Sequence, residues 1–90
     1  MTFAAFEGTV GTDPTPIELP GPDGYRMGIN FMMTNTSDKV IWCGGEDVNI
    51  GKRWPWPIGG IFPLELNKPD TLYGYVVSGQ GTYAWLKQDD

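Results

Sequence analysis

The side chains with the most reactive chemistry in this chain are one thiol, Cys43, and two adjacent carboxylate pairs, Glu46-Asp47 and Asp89-Asp90. A thiol can act as a nucleophile when a neighbouring base lowers its pKa, and paired carboxylates can share general acid and base work. Neither arrangement is supported here. The chain has no histidine, which removes Ser-His-Asp, Cys-His and histidine-ligated zinc sites. Adjacent side chains on a strand point to opposite faces, so neither carboxylate pair converges on one substrate. Asp47 is expected to bond backbone N–H groups in the turn after Gly44-Gly45, and Asp89-Asp90 to be a solvated tail. Cys43 ends an apolar run, Val40-Ile41-Trp42, and is expected to behave as a small buried hydrophobe.

Two further patterns suggest sites. Gly45 to Lys52 imitates a phosphate loop, but five residues separate Gly45 from Gly51, Arg53 stands where Ser or Thr is required, and Glu46 and Asp47 would repel the phosphate. Asn35-Thr36-Ser37 matches a glycosylation sequon and reads instead as a turn. The segment Lys52-Arg53-Trp54-Pro55-Trp56-Pro57 is different, because two prolines hold two tryptophans in a stiff loop. Tryptophans supply large contact areas at low entropic cost. Trp54 and Trp56 are therefore candidates for a partner contact, for a platform that stacks on sugar rings, or for lids on the domain's own core.

The elements that must position these residues are strands. Thirteen glycines and eight prolines disfavour long helices, while the aromatic content keeps the chain above the disordered range. Tyr25, Met27, Ile29, Phe31 and Met33 alternate with polar or small residues, with Met32 the one violation, which predicts a half-buried strand. Asn35 to Asp38 supplies a turn into the run that starts at Val40, and the two strands are expected to form a hairpin. Phe62, Leu64 and Leu66 alternate with Pro63 and Glu65, which predicts a strand with one core face, and Pro63 suggests an edge position or a strand start. Residues 72–77 are apolar on both faces, as in a central strand or an oligomer interface. After Ser78-Gly79-Gln80-Gly81, Tyr83 and Trp85 share one face and Ala84 and Leu86 the other, which predicts a final hairpin. Prolines 14, 16, 20 and 22 exclude a helix in the N-terminal quarter, where only Phe3 and Phe6 anchor the first ten residues. The expectation is an all-β chain: a small antiparallel β-sandwich or jelly-roll-like barrel over residues 25–90, preceded by an extended N-terminal arm and Pro-rich segment over residues 1–24.

Composition bounds the partners. Eleven acidic against six basic side chains give a net charge of −5, and no cationic cluster exceeds Lys52-Arg53, so neither nucleic acid nor an anionic membrane is expected. The first residues lack a basic n-region and carry Glu7 within their only apolar patch, so no secretory signal is expected. No run reaches the length needed to span a bilayer.

One order of turns and core positions runs through the C-terminal half. It begins with Val40-Ile41-Trp42-Cys43-Gly44-Gly45-Glu46-Asp47-Val48, continues with Gly60-Ile61-Phe62-Pro63-Leu64, and closes with Leu72-Tyr73-Gly74-Tyr75-Val76-Val77-Ser78-Gly79-Gln80-Gly81-Thr82. This order resembles β-sandwich modules in structural proteins of tailed bacteriophages, including capsid decoration (cement) proteins and head or tail fibre domains. The chain departs from that pattern at Trp54 and Trp56, where such modules usually carry a short polar stretch. The resemblance implies a non-enzymatic virion protein without cofactor or metal, made in the host cytoplasm and bound to the outer surface of the head. Its partner would be the major capsid protein, and it would often assemble as a trimer. In that reading Phe3, Phe6, Ile17, Leu19, Trp54 and Trp56 contact the capsid, and Leu72, Tyr73, Tyr75 and Val77 form the oligomer interface. The alternatives are a fibre, tail or glycan-binding virion component, and a small inhibitor or interaction protein.

Overall fold

A computed structural model describes residues 2–20, 29–64 and 71–89. Within them the chain is all-β, with seven strands in two antiparallel sheets and no helix. They are β1 (Thr2–Val10), β2 (Thr15–Pro16), β3 (Phe31–Asn35), β4 (Ile41–Gly44), β5 (Trp54–Trp56), β6 (Tyr73–Tyr75) and β7 (Gly81–Asp89). One sheet, sheet A, has the order β1-β7-β3, and the other, sheet B, has the order β2-β6-β4-β5. The arrangement is the small β-sandwich that the alternating patterns predict.

Residues 2–10 are not a free arm. They form β1 and pair with β7 without interruption, from Thr2 opposite Asp89 to Val10 opposite Gly81. Val10 is 1% exposed in the core. Ile17 is also buried and donates its N–H to the Leu72 carbonyl at 2.8 Å. The N-terminal quarter therefore contributes a strand to each sheet, and the division into residues 1–24 and 25–90 does not hold. Deleting residues 2–12 would strip β7 of one of its two partners and open the core at Val10. The physical reason is long-range pairing: β1 is weakly patterned by itself and gains its conformation from backbone bonds to the far end of the chain.

Neither expected hairpin forms. β3 lies in sheet A and β4 in sheet B, so the turn at Asn35 to Lys39 is a corner between layers. The same is true of β6 and β7, joined by the bend around Gly79, whose φ of 70° suits a residue without Cβ. Backbone bonding explains the difference. Both edges of β7 are taken by β1 and β3, and both edges of β6 by β2 and β4, which leaves neither free to pair with its neighbour in sequence.

The core lies between the sheets. Phe31, Met33 and Tyr83 face in from sheet A, and Ile41, Cys43, Trp56 and Val76 from sheet B, with Phe62 closing one side. Alternation places Phe31 and Met33 inside as expected, whereas Ile29 is 72% exposed. Tyr25 and Met27 lie outside the described residues, as do Glu65 and Leu66 of the expected edge strand. What remains of that strand is a single bridge, Ile61 opposite Thr34, supported by the Phe62 N–H donating to the Met33 carbonyl at 2.9 Å. Tyr83 crosses the sandwich over Gly8, where a Cβ would collide with its ring, and its hydroxyl accepts the Glu18 N–H at 2.8 Å.

Asn35 ties the layers together. It is 1% exposed, and its Nδ2 donates to the carbonyls of Lys39 at 2.8 Å and Trp56 at 2.9 Å. Its Oδ1 accepts from the Ser37 N–H at 2.9 Å and the Ser37 hydroxyl at 2.7 Å. Every polar atom of the side chain is thus satisfied, which makes burial of the amide affordable.

Candidate functional site

The reactive groups singled out in the sequence are held apart or silenced. Cys43 is 2% exposed, and burial pushes its thiol from 9.0 up to about 12. The folded protein should therefore resist thiol reagents at pH 8 and react fully when denatured, as a timed Ellman assay would show. Linkage gives the pH dependence. The unfolded thiol loses its proton near 9 while the folded one keeps it, so stability is unaffected below that pH and falls as pH rises from 9 toward 12. Tyr83, raised by desolvation, acts in the same direction.

Asp47 accepts a hydrogen bond from Lys52 Nζ at 3.1 Å, and this bond holds its carboxyl below the usual range. The turn itself closes through the Val48 N–H on the Gly45 carbonyl, so Asp47 is chiefly the partner of a surface lysine rather than a cap. Among the described residues, no three His, Cys, Asp or Glu side chains come together.

The two tryptophans of the Pro-held loop share one face of β5 and differ in depth. In β5 the register sets Trp56 opposite Ile41, facing inward, where it is fully buried and donates its Nε1–H to the Gly60 carbonyl at 2.8 Å. It meets Phe62 edge-on at 5.5 Å. Trp56 is thus a core residue, neither a partner contact nor half of a sugar platform. Trp54 is 42% exposed at the rim, edge-on to Phe62 at 5.8 Å. It borders an apolar cleft of 260 Å³ whose other walls include Cys43, Leu64 and Leu72.

The remaining interface candidates divide by strand face. Phe3 is 64% exposed on the outer face of sheet A, while Phe6 turns inward and stacks on Trp85 at 5.6 Å. Ile17 is in the core, and Leu19 packs against it. In β6 the inward positions are covered by the chain's own core, with Gly74 pressed between Ile17 and Ile41. The hydroxyl of the outward Tyr75 accepts a hydrogen bond from Arg53 Nη1 at 2.8 Å, and that guanidinium lies 3.8 Å over the Trp42 ring. Leu72, Tyr73 and Tyr75 are half-buried and Val77 is exposed. The inner side of β6 is therefore covered within one chain.

Among the described residues, an apolar surface spanning three strands stands open on the outer face of sheet A. Ala5 in β1, Leu86 in β7 and Met32 in β3 are directly opposite one another, with Ala84 and Ile61 beside them, around a depression of 540 Å³. Met32 is 41%, Leu86 47% and Ile61 55% exposed. Phe3 and Ile29 continue the patch past Met32 and Leu86. Of these, the candidate contacts read from sequence include Phe3 alone. The signal was nonetheless present: Met32 breaks the alternation of its strand, and Ala84 and Leu86 make the second face of β7 apolar too. No protein-family model, no curated protein and no solved structure matches this chain.

Proposed function

We propose that this chain is a non-enzymatic structural module that docks face-on against a larger protein surface, and that it is a decoration protein on the outside of a tailed-phage head. The observation that carries the docking is the contiguous apolar outer face of sheet A. A domain that works alone rarely leaves several large apolar side chains adjacent on one sheet face, and such patches mark interaction surfaces. The resemblance of the C-terminal half to phage structural modules supplies the partner, the major capsid protein. In this mechanism Met32, Ile61, Leu86 and Phe3 are the anchors, and Trp54 with its apolar cleft is a second contact at the rim. The acidic charge of the chain keeps the free protein dispersed until it meets a matching surface.

Cosedimentation of the purified protein with expanded heads tests this reading. Met32→Asp and Leu86→Asp sit at exposed positions, so the fold should persist while binding weakens about 30-fold or more, the loss of about 2 kcal/mol typical of an interface anchor. Failure of the unsubstituted protein to bind any head would remove the decoration reading. Binding that survives both substitutions would remove sheet A as the contact.

A further inference from the structure

The edges of the two sheets are treated differently. In sheet B, the outer strand β2 carries Pro16 and follows Pro14, and the opposite outer strand β5 carries Pro55 and precedes Pro57. Proline blunts an edge because it offers no N–H to an incoming strand. In sheet A, the outer side of β3 is occupied by residues 59–62, through Asn35 N–H to the Gly60 carbonyl and Phe62 N–H to the Met33 carbonyl, with Pro63 next. Only β1 lacks such a device among the described residues. It is nine residues long, contains no proline, lysine or arginine, and keeps a one-to-one register along its whole length, so no bulge twists it away. Its single charge is Glu7.

The hydrogen-bond pattern shows which groups that edge presents. Gln88 N–H donates to the Asn30 carbonyl and Thr36 N–H to the Thr82 carbonyl, so even-numbered residues of β7 bond toward β3. Backbone groups alternate in direction along a strand, and odd-numbered residues of β7 therefore bond toward β1. Their partners are Ala4, Phe6, Gly8 and Val10. Phe3, Ala5, Glu7 and Thr9 are left with N–H and C=O directed outward, in the plane of the sheet.

We infer that β1 pairs with β1 of a second copy of this chain, antiparallel about a two-fold axis, and joins two three-stranded sheets into one of six strands. A register centred on Phe6 uses all nine residues. It sets Ala5 opposite Glu7 of the other copy and Phe3 opposite Thr9, so the two glutamates do not face each other. The strand edge is about 30 Å long at about 3.4 Å per residue. A single strand edge is smaller than a standard interface, which buries about 800 Å² a side, so the pair should be a weak one, with affinity in the micromolar range. Each copy carries a charge of −5, so added salt should strengthen the pair. The edge lies at right angles to the apolar outer face, and the inference holds whatever that face binds.

Sedimentation equilibrium from about 1 μM to about 500 μM, a range that brackets micromolar affinity, should show the mass rising from 9.9 kDa toward twice that value. Over the same range, amide exchange at Ala5, Glu7 and Thr9 should slow about tenfold or more, while that at Phe6 and Gly8, already bonded to β7, should not change. Ala5→Pro removes one outward N–H and leaves the bonds to β7 intact, so it should weaken dimerisation at least tenfold with an unchanged circular dichroism spectrum. If that variant fails to fold, the exchange measurement on the unsubstituted chain decides alone. A mass that stays at 9.9 kDa, a trimer, or a dimer without slowed exchange at those three amides would overturn the inference. So would a chain that stays monomeric but loses capsid binding with Ala5→Pro, since the edge would then serve a capsid strand.

Discussion

Trp56→Ala is expected to lower the stability of this domain by about 3–5 kcal/mol, the range for removing a large aromatic side chain from a packed core. For a domain of this size each kcal/mol shifts the melting temperature by about 4–8 °C, so a fall of about 12–40 °C is expected in a thermal melt followed by circular dichroism. Three contacts are lost together: the edge-on packing with Phe62, the tilted contact with Tyr83 at 6.2 Å, and the hydrogen bond to the Gly60 carbonyl. Trp56→Phe keeps most of the packing and loses that bond, at about 1 kcal/mol. Trp54→Ala, two residues away and facing the rim, should cost about 1 kcal/mol, the scale of a single aromatic pair. Equal melting of the Trp54 and Trp56 variants would contradict the inward register of β5.

The second large effect belongs to a polar residue. Asn35→Ala leaves the buried Trp56 carbonyl and the half-buried Ser37 N–H without their Asn35 partner, while the Lys39 carbonyl keeps the Ser37 hydroxyl at 3.0 Å, and about 3 kcal/mol of stability should be lost. Asn35→Asp separates the geometry from the packing, because it preserves the shape and places a carboxylate where an amide donated to two carbonyl oxygens. Its folded-state pKa would be raised above the ordinary value of about 4. The deficit should therefore be small below pH 4 and grow as pH rises toward 7, and a flat profile between those values would show that the donated bonds are not what Asn35 contributes.

Alternation made the fold class legible, since the side chain of each residue reports which face of its strand is wet. Phe31, Met33 and Tyr83 are inside for that reason. Partner choice was not legible, because sheets are joined by backbone groups that every residue carries alike. The turn at Asn35 looks the same in sequence whether it closes a hairpin or turns a corner between layers. Phe3 and Phe6 fall three apart, which on a strand puts them on opposite faces, and only the register with β7 shows that Phe3 faces out and Phe6 in. Trp54 and Trp56 read as one motif because proline brackets both and a spacing of two puts them on the same strand face, and only the packing at each end of that face shows Trp54 42% exposed at the rim and Trp56 fully buried. The candidate contact face stayed hidden for a related reason: it is assembled from single residues on three strands, none of them conspicuous alone.

β7 is the middle strand of its sheet and stands near the end of the sequence, while one of its neighbours is the first strand. During translation neither β1 nor β3 has its partner until β7 clears the ribosome. Closing so long a loop adds little to the equilibrium cost, because the entropy grows only with the logarithm of length. It weighs on the rate instead. A topology of high contact order folds on the millisecond-to-second scale, so β1 and β3 wait with their backbone groups unpaired until β7 has been made, and exposed strand edges of this kind are what chaperones shield.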